Sequence, residues 1–429
     1  MNFEIFPNKK ITTPAETFEK EVEVEGGANQ DADKFAEERE WHQERWERQA
    51  AASSNKTFFG RQKNSVEDFI LEEASRDNEY FDKLKHSEHE AWQADLQPVI
   101  DSFIEKMDNP EKECINVIYM KGGGMKSAYT GGQVWALNEM GLTSDKVDYI
   151  FGSSSGSVVA ATYAGGPEET NKGLRMLTGP LSSPDFISTK RALSGDIIKL
   201  EMAEEEMNEG EHAFDEEKIR DYQGKLYFSV TEPPEPDIPV PDVRFLDMKN
   251  EEENPSISSR IRSSMSISSR VTGEIPEIDG VKYRDGDYNQ LPMSEVIAKV
   301  KETLSPGMEG VEINVMILPQ TPFEIMDNIK PSQAEYNMAS LGKFGGIMAR
   351  GGIASLSEAQ KLLLAREELR KDLEEIQEIE HVKIGILWPP DDGLGVTNID
   401  SDAAQASILS SARDTIKQFG GEQPDSIEY

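Results

Sequence analysis

Two successive strand-to-helix transitions lie in the middle of this chain, and they restrict its fold more than any other feature. Residues 115–120 form a β-rich apolar run that ends in a glycine turn, and a helical pattern over residues 127–140 follows. A second strand, at residues 147–151, leads through a short turn into the small apolar residues 158–161 of another helix. Strands that alternate with helices become parallel through right-handed crossovers. The sequence therefore predicts an α/β fold with a mostly parallel central sheet.

Later segments extend this α/β pattern. Four of them have the apolar, β-rich character of strands, at residues 226–230, 243–247, 311–318 and 382–387. Residues 356–379 and 403–419 predict helices, the second of them ended by Gly420. We expect the α/β domain to span residues 113–420, with its motifs within 115–300 and a frayed tail at 421–429.

The beginning of the chain has a different character. Residues 1–63 are acidic, polar and aperiodic, which predicts disorder. Residues 64–112 carry apolar side chains at helical spacing, which predicts a helical extension ahead of the α/β domain.

The charge balance excludes one class of partner. Acidic residues outnumber basic ones by 81 to 45, for a formal net charge of -36. Such a charge repels nucleic acid, so we expect no nucleic-acid partner and interpret the acid excess as an aid to solubility or an adaptation to salt.

Compartment and membrane contact follow from what the sequence lacks. The single cysteine, Cys114, has no partner for an internal disulfide and precedes an apolar run, so we expect it in the core. We see neither a secretory signal nor a run near the roughly 18 apolar residues of a membrane span. We expect a cytoplasmic protein with at most peripheral membrane contact.

A glycine-rich turn follows the first strand. Gly122, Gly123 and Gly124 precede Lys126 at the start of the next helix. Consecutive glycines let backbone N–H groups converge on one point, and the helix N-terminus adds positive potential there, which favours an oxyanion or a phosphate. Lys126 is equally compatible with a surface lysine in the first helical turn and with an anion-binding role.

The same turn has a second interpretation, as a dinucleotide-binding fingerprint. Asp145 and Asp148 lie near the distance expected for a ribose-binding acid. Ser127, however, occupies the position of the third glycine, which weakens this interpretation.

The second strand leads into Gly152-Ser153-Ser154-Ser155-Gly156, a match to G-x-S-x-G. In a nucleophile elbow the serine sits at a strained turn between strand and helix, and flanking glycines give the turn room. A serine-rich loop would match by chance, but the strand-turn-helix context favours the elbow. Ser154 is the candidate nucleophile, and its neighbours are expected to be structural.

A candidate base follows in Asp285-Gly286, where the glycine permits a turn that aims the carboxylate. A Ser-His-acid triad of the α/β-hydrolase type needs a histidine after the acid. Only His381 follows Asp285, and its acidic neighbours predict a solvated residue; the other histidines are His42, His86, His89 and His212. A carboxylate acting directly on the serine is therefore favoured.

This ordered set of motifs resembles the patatin-like phospholipases. Residues 261–267 are also similar to the Arg-Ala-Ser-rich stretch that precedes the family's aspartate. The resemblance implies a central sheet with helices on both faces and a Ser–Asp dyad, with Ser154 as nucleophile and Asp285 as base. It also implies an oxyanion loop at Gly122, Gly123 and Gly124. The supporting residues of the site are then Lys126, Gly152, Gly156 and Gly286.

Two positions depart from the family pattern. Ser127 replaces the last glycine of the oxyanion motif, and we expect its hydroxyl to cap the following helix instead. Asp287 stands where the family has a small residue, and we expect its charge to raise the pKa of Asp285.

The predicted function is hydrolysis of lipid acyl esters, of the phospholipase A or esterase type, without a cofactor or a metal. Acyl transfer to another alcohol, a catalytically weak scaffold recruited through the acidic N-terminal region, and a dinucleotide-dependent enzyme remain alternatives. The apolar, glycine-rich residues 340–354 are compatible with a lid at a membrane surface and, equally, with a loosely packed helix pair.

Overall fold

The computed structural model describes most of the predicted α/β domain. The described residues are 96–320, 379–421, 424 and 427, with gaps at 110–111, 189–190, 192–196, 233–242, 249–255, 268–270, 287–292, 306, 309, 391–393 and 395–398. The predictions for residues 1–63, for the helix at 356–379, for the lid at 340–354 and for Asp287 lie outside the described residues.

The described strands form one sheet. They are β1 (Cys114–Met120), β2 (Tyr149–Ser153), β3 (Lys225–Thr231), β4 (Val243–Asp247), β5 (Arg284–Asp285), β6 (Glu312–Leu318) and β7 (Val382–Ile386). Their order is β4-β3-β2-β1-β6-β7, and the short β5 also pairs with β3. The pairs β1–β2, β2–β3, β1–β6 and β6–β7 are parallel, whereas β4 and β5 run antiparallel to β3. The mostly parallel central sheet is confirmed, and the predicted strands agree with the observed ones to within two residues.

The described helices cover this sheet. They are α1 (Gln97–Asp108), α2 (Ser127–Glu139), α3 (Gly156–Ala164), α4 (Pro167–Thr178), α5 (Leu200–Glu209), α6 (Glu216–Arg220), α7 (Ile257–Ser264), α8 (Met293–Glu302) and α9 (Ser401–Gln418). Within the predicted helical extension, α1 is the described part. None of the helices in the described ranges is long and apolar enough to cross a bilayer.

Strand β1 shows how both faces of the sheet are used. All seven of its residues are buried, as expected for the centre of a parallel sheet. Ile118 and Met120 point into the larger core, which α2 and α3 help to form. Val117 and Tyr119 point into a second core with the apolar side of α8. Helices therefore pack on both faces, as predicted, and Cys114 at the start of β1 is buried.

The last described helix, α9, packs directly on α2. Its start is capped by Asp400, whose carboxylate accepts from the amides of Asp402 and Ala403 at 2.9 and 3.2 Å. A Cβ on Gly132 of α2 would lie 2.3 Å from the carbonyl oxygen of Ile408, so this glycine lets the two helix backbones approach closely. Helix α9 thus belongs to the same core as the strand-turn-helix units.

Candidate active site

Ser154 sits at a sharp turn between β2 and α3. Its φ of 49° is in the left-handed region, which a residue with a Cβ occupies at a cost. The turn is held by the backbone N–H of Ser154, which donates to the hydroxyl of Ser264 at 2.9 Å. Helix α3 begins two residues later, so its positive end faces the turn. This is the local geometry that the G-x-S-x-G pattern predicts.

The Ser154 hydroxyl donates to the carboxylate of Asp285, with 2.6 Å between Oγ and Oδ2. Asp285 is only 6% exposed and lies on β5. Its backbone N–H donates to the carbonyl of Ser266 at 2.8 Å, and its own carbonyl accepts from the Thr231 hydroxyl at 2.9 Å. A fixed, buried carboxylate in contact with a strained serine hydroxyl is an arrangement that can remove the hydroxyl proton during nucleophilic attack.

Glycine is required beside Ser154 and Asp285 because there is no room for a Cβ atom at these positions. A Cβ on Gly156 would lie 2.4 Å from the Met120 carbonyl oxygen, and one on Gly152 would lie 2.7 Å from the Cα of Ser157. A Cβ on Gly286 would lie 2.3 Å from the Ser229 carbonyl oxygen. The predicted reason for Gly286 was freedom to turn; its φ is not in the left-handed region, and close approach to β3 is the constraint instead.

The glycine loop lies beside the elbow, at the end of β1. The Gly123 N–H donates to the Ser155 hydroxyl at 3.2 Å, so one glycine amide is tied to the residue after Ser154. Gly124 has a φ of 61° and opens a short 3-10 helix that ends at Lys126. Lys126 is only 8% exposed, so its interpretation as a surface lysine is wrong.

The prediction that the Ser127 hydroxyl caps the following helix is wrong. Its hydroxyl does not cap α2, because this helix continues directly from the 3-10 helix and begins without a side-chain cap. The hydroxyl is buried, and it has no hydrogen-bond partner among the described residues. The chain needs no side-chain cap here because the backbone of the preceding turn already accepts the Ser127 N–H.

Two supporting residues were not predicted individually. Ser264, at the end of α7, accepts from Ser154 and Ser157 and donates to the Ser229 carbonyl at 2.7 Å. It lies within the stretch 261–267 that carried the family resemblance, so a signal for it existed. Gln320 is buried beside the glycine loop, and only its position just after a predicted strand pointed to this edge of the sheet.

The histidines that the structure describes do not join the site as a triad member. The His381 side chain is 52% exposed, 3.8 Å from Glu380. Its carbonyl accepts from the Ile313 amide at the start of the parallel strands β6 and β7. Ser154 follows the carboxyl end of β2, whereas His381 precedes the amino end of β7. In parallel strands the amino ends and the carboxyl ends lie at opposite edges of the sheet, so the two residues are far apart. The prediction that His381 is a solvated residue is confirmed.

A comparison with known families identifies the domain that holds this site. Residues 118–286 match the family model of the patatin-like phospholipases. This part of the chain is a patatin-like phospholipase domain. At the level of the family, the match supports a hydrolase that acts on lipid esters. The patatin-like domain contains Ser154, Asp285 and the whole glycine loop, so the match covers every candidate site residue from the sequence.

Other comparisons add little to this assignment. VipD from Legionella pneumophila is a structurally similar protein, with 10% sequence identity and a TM-score of 0.29 over 72% of this chain and 80% of that chain. No curated protein sequence matches the chain.

The sheet extends beyond the matched part of the patatin-like domain. Strands β6 and β7 and helix α9 all follow residue 286, and β6 pairs with β1 along the full length of both strands. The predicted limits of the domain, 113–420, stay a prediction.

Proposed function

We propose that this protein hydrolyses carboxylic acyl esters of lipids, with Ser154 as the nucleophile and Asp285 as the general base. The observation that carries the proposal is the hydrogen bond of 2.6 Å from the Ser154 hydroxyl to the buried Asp285 carboxylate. The patatin-like domain supports a lipid ester as the substrate.

The reaction proceeds in two halves. Asp285 accepts the hydroxyl proton as Ser154 Oγ attacks the ester carbonyl and forms a tetrahedral intermediate. Collapse of this intermediate breaks the bond to the leaving alcohol, which takes the proton from Asp285, and leaves an acyl-Ser154 ester. Asp285 then accepts a proton from water, which attacks the acyl ester; the fatty acid leaves and the proton returns to Ser154.

The negative charge of the tetrahedral intermediate needs backbone donors. We propose that Gly122, Gly123 and Gly124 supply them, assisted by the positive end of α3. The Gly123 N–H donates to Ser155 in the free protein, so it would exchange this acceptor for the oxyanion. The Ser155 N–H is an additional candidate, because the amide that follows the nucleophile serves this purpose in other elbow hydrolases.

A lipid substrate implies contact with a membrane or a micelle. We propose that this contact is peripheral and that the protein acts from the cytoplasm. Hydrolysis of the same ester in soluble and vesicle-bound form measures this contact: a higher rate on vesicles supports it, and equal rates contradict it.

Covalent labelling tests the dyad directly. A fluorophosphonate probe should label the wild type, fail to label Ser154→Ala, and label Asp285→Asn more slowly by a factor of about 100 or more. Ser263→Ala and Asp145→Asn are matched controls within the same domain, because neither side chain forms a hydrogen bond with Ser154 or Asp285. Both controls should label at the wild-type rate.

Absence of labelling in folded wild type, both with and without lipid vesicles, would contradict the proposal and support the scaffold alternative. Product analysis in the presence of added alcohols separates hydrolysis from acyl transfer. Free fatty acid as the main product supports hydrolysis, whereas a new ester supports transfer.

A further inference from the structure

Gln320 is buried next to the glycine loop although it lies outside the matched part of the patatin-like domain. It follows β6 by two residues and is 2% exposed. Because β6 pairs with β1 residue by residue up to Met120 and Leu318, the chain after β6 emerges beside the chain after β1. The chain after β1 is the glycine loop. The parallel pairing thus brings a residue from a distant part of the sequence to the candidate oxyanion site.

The amide of Gln320 is bonded at both of its ends. Its Nε2 donates to the carbonyl oxygen of Lys121, at 2.5 Å, just before the three glycines. Its Oε1 accepts from the Ser155 hydroxyl at 3.4 Å, and that hydroxyl in turn accepts from the Gly123 N–H at 3.2 Å. One side chain therefore connects the start of the glycine loop, through Ser155, to the nucleophile elbow.

Packing reinforces these hydrogen bonds. A Cβ on Gly123 would lie 2.4 Å from Gln320 Oε1 and 2.9 Å from Gln320 Cβ, so the loop backbone rests directly on this side chain. The requirement for glycine at position 123 thus has a second cause besides the approach of a ligand.

We propose that Gln320 is a positioning residue that sets the distance and orientation of the oxyanion loop relative to Ser154. This inference rests on the proposed function. Gln320 itself contacts neither Ser154 nor Asp285; it acts through Lys121 and Ser155. Loss of its amide leaves the Lys121 carbonyl without this donor and frees the Ser155 hydroxyl, so the loop amides lose their fixed direction.

The expected kinetic effect is specific. Oxyanion donors act in the transition state, so a misplaced loop lowers kcat and leaves KM nearly unchanged. Removal of one oxyanion donor costs about 100- to 1,000-fold in kcat, and we expect a displaced loop to cost about 10- to 100-fold. A merely structural glutamine would lower the melting temperature without this change in kcat.

Gln133 provides a matched control. It is also a fully buried glutamine of this domain, and its Nε2 donates to a backbone carbonyl, that of Leu387, at 2.6 Å. The experiment compares Gln320→Met with Gln133→Met in the full-length chain, measuring kcat and KM on a soluble short-chain ester together with the melting temperature. Methionine keeps the length of the side chain and removes both the amide nitrogen and the amide oxygen.

We expect similar losses in melting temperature for the two variants, and a 10- to 100-fold lower kcat with unchanged KM for Gln320→Met alone. If Gln320→Met does not fold, Gln320→Asn replaces it, since its shorter amide is expected to lower kcat to a smaller extent. Equal kcat values for folded variants of the two glutamines would overturn the inference and leave the proposed function intact. An inactive wild type would overturn both.

Discussion

The backbone N–H of Ser154 donates to the hydroxyl of Ser264 at 2.9 Å, so the strained turn of the candidate nucleophile is held by a residue from another helix. The Ser264 hydroxyl is buried, accepts a second hydrogen bond from Ser157 and donates to the Ser229 carbonyl. It joins the elbow to β3 and to the end of α7.

Ser264→Ala should therefore both destabilise the fold and slow catalysis. The change leaves the Ser154 amide and the Ser157 hydroxyl without their acceptor in a buried site, which costs about 2–3 kcal/mol of unfolding free energy. We expect acylation of Ser154 to slow by about 10-fold, because the turn loses one of its anchors. Urea unfolding and burst kinetics measure the two effects.

Ser263→Ala is the control for this change. Ser263 is the preceding residue, and its buried hydroxyl has no partner among the described residues. Its removal takes away a buried hydroxyl that no hydrogen bond satisfies, so it should not destabilise the fold and should leave the acylation rate unaltered. Equal destabilisation by the two substitutions would show that the loss of stability comes from the burial of a serine and not from the hydrogen bonds of Ser264.

The left-handed φ of Ser154 predicts an inverted order of stability. At an ordinary position alanine is more stable than glycine by about 0.5–1 kcal/mol, because glycine loses more backbone entropy on folding. At a φ of 49°, however, a residue with a Cβ carries a cost of about 1–2 kcal/mol. Ser154→Gly should thus be more stable than Ser154→Ala by about 1 kcal/mol, while both are inactive.

The same pair of substitutions at Ser157 controls for the loss of a hydroxyl. Ser157 lies in the first turn of α3, where the backbone is helical. Ser157→Gly should be less stable than Ser157→Ala, the opposite of the order at Ser154. Thermal unfolding of the four variants measures both orders of stability. If the alanine variant is the more stable one at both positions, the turn at Ser154 is unstrained.

Gly156→Ala should disrupt the junction between β1 and α3. The added methyl group would lie 2.4 and 2.6 Å from the carbonyl oxygens of Met120 and Lys121, and backbone atoms cannot move aside as a flexible side chain does. We expect a loss of more than about 2 kcal/mol of unfolding free energy. Gly310→Ala, at a glycine with open space around its Cβ position, should be neutral; a tolerated Gly156→Ala would refute the close approach.

Glu312 predicts a measurable dependence of stability on pH. Burial raises the pKa of its carboxyl. The hydrogen bond and charge of Lys383, 2.7 Å away, lower this pKa by more than burial raises it, so the net pKa lies below the ordinary 4.5. A depressed pKa stabilises the fold above pH 4.5, and this contribution disappears as the pH falls through the lower pKa of the folded state. Glu312→Gln should thus destabilise the protein at pH 7 but less so towards pH 3.

The expected difference at pH 7 is below about 1 kcal/mol, because the pair is partly exposed and screened by solvent. Glu302→Gln controls for the removal of one negative charge from a chain of net charge -36, since that carboxylate is 68% exposed beside Lys299. Guanidinium unfolding would obscure ionic effects, so urea is the suitable denaturant. A difference that stays constant with pH would contradict the assignment.

The sequence predicted most of the sheet because its strands are locally encoded. In β1 the apolar run between a charged segment and a glycine turn is a local pattern, and so is the strand-turn-helix context of Ser154. The supporting contacts of Ser264 and Gln320 join residues that are far apart in the chain, and no local pattern records such a pairing. The Ser127 cap was wrong because the helix start depends on the turn before it, which the glycines allow.

The pairing of β1 with β6 also has a consequence for how the chain is made. Strand β1 begins at residue 114, whereas its neighbour β6 begins only at residue 312. During synthesis β1 can join β2 early, but one side of it stays open until most of the chain has left the ribosome. Contacts of such long sequence separation form slowly, and an open apolar strand invites pairing with other chains. The net charge of -36 makes copies of the chain repel one another, which opposes such pairing.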